Sequence, residues 1–261
     1  MSGAPVVAVL GLGEAGAAIA GDLAGAGARV LGFDPAPRTP PLGVEGVGSE
    51  RAASEAAEVV LSVNSAAVAV MVAEAAAPAM REGTVYADLN TAAPELKRAV
   101  AAAAGDRAVF ADVALLGPVP GRGLHTPALV SGPGAEQFAA ALGPLGMPVT
   151  SVGPETGTAS ARKLARSVFA KGLAAAVGEA LDAARELDCE EWLYEDLERT
   201  LESADGDLLR RLIDGSHAHA GRRAEEMAAA VALLEELGIE PRTAAAAEAW
   251  LRSLAASEVV G

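Results

Sequence analysis

Only three of the chain's 20 basic residues are lysines: Lys97, Lys163 and Lys171. A guanidinium keeps its charge at any physiological pH, whereas an ammonium gives up its proton when it is desolvated or crowded by another cation. A background this poor in lysine retains it where a titratable amine is useful. Lys163 and Lys171 sit eight residues apart in an unbroken helical pattern, with Ser167 midway. At about 100° per residue, each four-residue step turns only about 40°, so the three share a helix face. Such a face suits proton transfer to or from a carbonyl or hydroxyl oxygen. Lys163 would be the general acid/base. Lys171 would lower its pKa by like charge or bind a substrate anion, and Ser167 would orient the lysine or the substrate. The bland reading is a pair of lysines snorkelling from a surface helix.

A second cluster lies near the N-terminus. Gly11, Leu12, Gly13, Glu14, Ala15 and Gly16 spell G-x-G-x-x-G between a short apolar run and an alanine-rich helical stretch. In that setting Gly11 permits a tight turn, Gly13 lets a pyrophosphate approach the backbone, and Gly16 lets helix and strand pack closely. The helix N-terminus adds N–H donors and a positive dipole. Asp34 follows Gly16 by 18 residues, at the end of the next apolar run. A carboxylate there accepts from the adenosine ribose hydroxyls and repels a 2′-phosphate, favouring NAD over NADP. Arg38, four residues on, could instead turn toward such a phosphate, so NADP stays open.

The elements that must position these residues are legible as a pattern. Apolar runs at Val6–Leu10, Arg29–Phe33, Val59–Val63, Val85–Leu89 and Val109–Leu115 alternate with Ala-rich stretches at Ala15–Ala26, Ser65–Met80 and Pro94–Ala104. Continuous apolar strands separated by helices predict a parallel sheet covered on both faces, wound by right-handed crossovers. Two later strands, Ala128–Ser131 and Val149–Val152, flank a helix at Ala135–Leu142 and extend the sheet. Beyond Pro154 the texture changes. Residues 1–155 hold 15 acidic and 8 basic side chains, whereas residues 156–261 hold 20 and 12 in a shorter stretch. That density predicts amphipathic helices with solvated faces. The reading is an α/β chain: an N-terminal Rossmann-type doubly wound parallel sheet over residues 1–155, then an all-α C-terminal substrate and dimerisation domain over 156–261. Helices are expected at Thr158–Leu187, Glu190–Ser203, Asp205–Ile213, His217–Leu237 and Arg242–Ser257. Gly238 closes one of them, and Pro241 opens the last. The first would span roughly 45 Å, too long for one small domain to cover, which predicts pairing with a second copy and a homodimer.

Composition excludes several classes. The net charge of −15 argues against a nucleic-acid or anionic-membrane partner. One cysteine, Cys189, forms no intrachain disulfide and no Cys-rich metal site. No apolar run is long enough for a transmembrane helix. The start, Met1 to Pro5, has no basic n-region of a signal peptide, so a cytoplasmic protein is expected. His217 and His219, two apart, have poor metal geometry, and no metal site is expected. His125 lies in the loop after the fifth strand, where substrates of open α/β sheets bind. Arg166 could bind an anionic substrate group.

Taken together, the motifs resemble the β-hydroxyacid dehydrogenase and 6-phosphogluconate dehydrogenase superfamily over nearly the whole chain. Asp88-Leu89-Asn90-Thr91-Ala92-Ala93-Pro94 looks like that family's D-x-S-T-x-x-P segment, which implies Asn90 and Thr91 beside the nicotinamide. Ser62-Val63-Asn64-Ser65 matches its strand-end loop and implies a cofactor contact for Asn64. Gly157 to Ser167 aligns with its G-x-G-x-x-x-K-x-x-N-N and implies a catalytic Lys163. The pattern departs at Ala159 for the second glycine and at Arg166-Ser167 for the asparagine pair. It departs again at Leu116, where the substrate segment D-x-P-x-S-G-G has serine, leaving Leu115, Leu116 and Gly117 at the substrate position. The whole looks closest to a 6-phosphogluconate dehydrogenase-like branch with its own type of C-terminal domain. The resemblance implies a nicotinamide-dependent dehydrogenase or reductase acting on a small-molecule hydroxyl/carbonyl pair. Its rivals are an imine reductase on the same scaffold and a non-catalytic dinucleotide-binding redox sensor. A decarboxylating enzyme would need more cationic phosphate ligands than the chain supplies.

Overall fold

A computed structural model describes residues 4–258. Met1–Gly3, part of the segment read above as lacking a basic n-region, lie outside the described residues. The chain forms two compact units, Met1–Arg166 and Ser167–Gly261.

The first unit is built on one eight-stranded sheet. Its strands are β1 (Val6–Leu10), β2 (Arg29–Phe33), β3 (Val44–Gly46), β4 (Val59–Ser62), β5 (Thr84–Asp88), β6 (Ala108–Leu115), β7 (Ala128–Ser131) and β8 (Val149–Ser151), and they lie in the order β3-β2-β1-β4-β5-β6-β7-β8. Between them run α1 (Glu14–Gly25), α2 (Glu50–Ser54), α3 (Ala69–Ala76), α4 (Pro94–Ala104) and α5 (Ala135–Leu142). The strands are apolar without alternation because both sheet faces are covered. Val7 and Val9 point into the layer holding α1 and α5, with Ile19, Leu23 and Phe138. Ala8 and Leu10 point into the opposite layer, with Val72, Val100 and Tyr86.

Several details lay beyond the sequence pattern. β3 has three residues, and α2 five, capped by Ser49 accepting from Ala52 N at 3.1 Å; both are too short for periodicity to show. α3 begins at Ala69 rather than Ser65, because the backbone after β4 is tied elsewhere: Asn64 N donates to the Asn90 side chain at 2.8 Å. β7 runs antiparallel to β6, not parallel. The intervening segment carries only a 3-10 turn, Gly123–His125, and no crossover helix.

Helix α6 spans Thr158–Glu186, and the division between units falls within it. The second unit continues with α7 (Glu190–Glu202), α8 (Gly206–Ala218), α9 (Ala220–Glu236) and α10 (Arg242–Glu258). Gly238 sits at φ +75 and closes α9 with two backbone bonds, Gly238 N to Glu235 O at 3.0 Å and Ile239 N to Leu234 O at 2.8 Å. The α8–α9 break corrects the expectation. The helix expected to end at Ile213 runs on to Ala218, with Ser216 Oγ bonding back to Leu212 O at 2.6 Å, and the next begins at Ala220 rather than His217. An apolar cavity of about 400 Å³ opens among α6, α7, α9 and α10, lined by Ala183, Trp192, Leu193, Met227, Leu234 and Ala247 among others.

Candidate active site

The nucleotide loop takes the shape its glycines permit. Gly11 has φ +102, and a Cβ on it would lie 2.1 Å from the Val63 carbonyl oxygen. A Cβ on Gly16 would lie 1.9 Å from Gly11 O, so helix and turn pack backbone to backbone. At Gly13 the reverse holds: a Cβ would meet nothing within 4 Å. Gly13 is also the N-cap of α1, with no side chain capping the first-turn N–H groups. The open face at Gly13 beside uncapped amides fits a pyrophosphate. Asp34 ties this loop to the end of β2. Its Oδ2 accepts from Leu12 N at 2.8 Å and its Oδ1 from Ala36 N at 2.9 Å, while Arg38 Nε lies 3.2 Å from Oδ2.

The sheet register sets a row of polar residues beside this loop. Leu10 pairs with Ser62, Ser62 with Asp88, Asp88 with Asp112, and Asp112 with Ser131. All four polar members are fully buried. For Ser62 and Asp88 this level is the carboxyl end of a parallel strand, where ligands of open α/β sheets bind. Asn90 sits just beyond. It donates to Asp88, and its Oδ1 accepts from Asn64 N at 2.8 Å. Asn64 Nδ2 in turn donates to Ser62 Oγ at 3.0 Å.

Two buried charges of the row need a partner, and Lys97 of α4 supplies it. Its ammonium is fully buried, 2.6 Å from Asp88 Oδ2, 2.8 Å from Asp88 O and 3.3 Å from Asp112 Oδ1. Asp112 also accepts from Ser131 Oγ at 3.1 Å, Ser160 N at 3.0 Å and Ser160 Oγ at 2.6 Å. Ser131 Oγ accepts from Ala159 N at 3.0 Å. Side chains from β6 and β7 therefore satisfy the first-turn amides of α6. Gly157, which precedes the helix and has no side chain to cap with, sits at φ +99 against Pro94.

Lys163, one turn further along α6, is half-buried and donates to Thr91 Oγ1 at 2.7 Å. Burial pushes its pKa below the ordinary lysine value, Lys97 pushes the same way, and Asp112 opposes both. The like charge is Lys97, a role the sequence reading gave to Lys171.

The structure thus brings Asn64, Asn90, Thr91 and Lys163 to one end of the sheet with the buried row. Leu115 is buried, and Leu116 and Gly117 are half-buried at the start of the β6–β7 segment. His125 is exposed, with Nδ1 3.1 Å from Gly146 O, and no hydrogen bond links it to the row. Arg166 is exposed; Ser167 and Lys171 belong to the second unit, where Ser167 is half-buried and Lys171 exposed. Sequence reasoning passed over Lys97, Asp112, Ser131 and Ser160. For Lys97 a signal existed, because the scarcity of lysine applies to all three.

This is the ligand end of a dinucleotide-binding α/β domain with a titratable amine on the helix that follows it. Residues 6–141 match the family model of the NAD binding domain of 6-phosphogluconate dehydrogenase, and residues 184–254 match a domain of unknown function, DUF1932. The first match covers just over half of the chain, and the chain belongs to that family. A conserved hypothetical protein from Sinorhizobium meliloti 1021 is 32% identical, with TM-score 0.63 over 95% of this chain and 87% of that one. The conserved protein MTH1747, described as similar in structure to 3-hydroxyacid dehydrogenases, is 29% identical, with TM-score 0.62 over 95% and 97%. An imine reductase from Myxococcus stipitatus in complex with NADP+ is 21% identical, with TM-score 0.81 over 97% and 95%, a likeness of fold. The match to a curated relative, an uncharacterized 28.5 kDa protein in the 7S RNA 5′ region of Methanothermus fervidus, is 31% identical over 143 residues and spans 55% of each chain. No helix among the described residues is long and apolar enough to cross a membrane.

Proposed function

We propose that this protein is a nicotinamide-dependent oxidoreductase acting on a small-molecule hydroxyl/carbonyl pair, with Lys163 as the general acid/base and NAD as the preferred dinucleotide. The observation that carries the reading is the half-buried Lys163 ammonium held 2.7 Å from Oγ1 of Thr91, the residue that follows Asn90 in the chain. The nicotinamide, when bound, supplies or accepts the hydride. The chain's own residues do the rest. The Gly11–Gly16 turn and the first amides of α1 hold the pyrophosphate. Asp34 accepts from the adenosine ribose, and Asn64 and Asn90 orient the nicotinamide end. Lys163 Nζ gives a proton to the substrate oxygen during reduction and takes it back during oxidation. Burial and the nearby Lys97 lower the Lys163 pKa, which eases proton release from the ammonium, and such proton transfer contributes about 10²–10⁴-fold. Leu115, Leu116 and Gly117 line the substrate side. Leu116 presents no hydroxyl there, which favours a substrate held by apolar contact.

The fold likeness to imine reductases supports a second reading, reduction of a C=N bond, which asks less of a lysine. We further propose a cytoplasmic homodimer joined through the second unit. Of the 14 exposed large apolar side chains among the described residues, 12 lie there, including Trp192, Leu212 and Trp250. The test is turnover of NADH or NAD with a panel of hydroxyacids, ketones and cyclic imines, for wild type and Lys163→Met. Carbonyl or hydroxyl turnover that falls about 10²–10⁴-fold in the variant is expected. Imine turnover that survives the substitution would move the assignment to the second reading. Tight dinucleotide binding with no turnover across the panel would leave a redox sensor.

A further inference from the structure

The cluster of Asp88, Lys97 and Asp112 has more polar connections than charge neutralisation requires. Two carboxylates share one ammonium, and all three are fully buried. Burying such a set is costly unless every lone pair and proton finds a partner. Here the remaining partners come from two directions. On one side Asp88 accepts from Asn90, which holds Asn64 N at 2.8 Å. On the other, Asp112 accepts from both the amide and the hydroxyl of Ser160 in the first turn of α6. The surplus negative charge thus faces the positive end of that helix. Lys163 stands three residues after Ser160. The charged groups facing it are Lys97 on α4 and Asp112 on β6, with Asp88 on β5 behind them, bonded to Lys97.

We propose that Asp112 and Ser160 are positioning residues. Through the Asp88–Lys97–Asp112 cluster they lock the first turn of α6 to the sheet, setting Lys163 against Thr91 and in register with the Asn90–Asn64 pair. Lys97 is the counter-ion that the two carboxylates share. A serine hydroxyl at 2.6 Å from a buried carboxylate is a short, directional tether, and Gly157 leaves the helix no cap of its own. The inference rests on Lys163 as the proton-transfer residue, but its test does not need turnover.

The chain has only three lysines, so protein labelled with ¹³C at lysine Cε shows three lysine signals, assignable with Lys163→Met and Lys171→Arg. Ser160→Ala removes the tether without altering charge. We expect it to move the Lys163 titration upward, toward that of an ordinary lysine, as the side chain leaves its half-buried place beside Thr91. Ser160→Thr, which keeps the hydroxyl, restores the wild-type curve. Asp112→Asn is expected to move it upward as well. A purely Coulombic role predicts the opposite for Asp112→Asn and no change for Ser160→Ala, and that pair of results overturns the proposal. An unmoved Lys163 curve in folded Ser160→Ala overturns it too, even if Asp112→Asn fails to fold. Wild-type turnover by Lys163→Met would remove the catalytic role of the lysine and leave the positioning result standing.

Discussion

Asp34→Asn tests whether the carboxylate at the end of β2 is the source of the proposed NAD preference. The wild-type carboxylate does two jobs. It holds the nucleotide loop, accepting from Leu12 N and Ala36 N, and it places a negative charge where the adenosine ribose is expected. The amide replaces two acceptor oxygens by one, so one backbone N–H loses its partner. That costs about 1–3 kcal/mol and weakens NADH and NADPH alike. The charge acts on NADPH only. Two unit charges about 4 Å apart interact by about 1 kcal/mol in water and about 4 kcal/mol at a protein surface. Arg38, 3.2 Å from Asp34 and half exposed, cancels part of this. A net of about 1–2 kcal/mol remains, so the ratio of NADPH to NADH affinity should rise roughly 5- to 30-fold in Asp34→Asn. Arg38→Ala should lower the ratio, since its guanidinium is then missing as a phosphate partner. Calorimetric titration of both dinucleotides into wild type and the two variants reads the ratio, with the common loss cancelling. Wild-type protein binding NADPH about tenfold tighter than NADH would refute the reasoning, as would an unchanged ratio in Asp34→Asn.

Three further outcomes follow from the same geometry. Gly13→Ala should leave thermal stability near wild type while abolishing dinucleotide binding, whereas Gly11→Ala, at φ +102 and against a carbonyl, should cost more than about 1–2 kcal/mol of stability; equal melting temperatures would contradict this. Lys163→Met should gain stability as it loses activity. Its native pKa lies below the ordinary value, so the unfolded chain binds more protons between the two, and wild-type stability rises with pH across that window. The variant's advantage is therefore full below the native pKa and fades as pH climbs toward the ordinary lysine value; a pH-independent difference in chemical denaturation would tell against it. In the second unit, Glu179 accepts from Thr243 N at 2.8 Å and Ala244 N at 2.7 Å, capping α10. Glu179→Ala should cost about 0.5–2 kcal/mol, read as a lower denaturation midpoint, and a loss below about 0.3 kcal/mol would refute the capping role.

The alternation of apolar runs with alanine-rich helices, the glycine turn and Asp34 were legible along the chain because each is local. A strand buried on both faces, a tight turn and a helix start leave their marks within a dozen residues of one another. α6 was legible to within a residue of its end for the same reason. The direction of β7 was not, since it depends on what the 116–127 segment can span rather than on the strand's own residues. The site divides along the same line. Lys163 stood out by residue type and spacing, but the groups that govern it did not. Lys97, Asp88, Asp112 and Ser160 are scattered over more than 70 positions, and parallel pairing of β5 with β6 brings the two aspartates level. A local pattern cannot encode which carboxylates share a row, because register is settled only when the whole sheet packs. What the amino-acid order determined by itself is a dinucleotide-binding sheet followed by helices and a lysine of unusual placement. The tertiary structure alone decided that a buried Asp88–Lys97–Asp112 cluster forms and is hydrogen-bonded to the first turn of the helix that carries this lysine. Coulomb forces and desolvation act across space, without regard to separation along the chain.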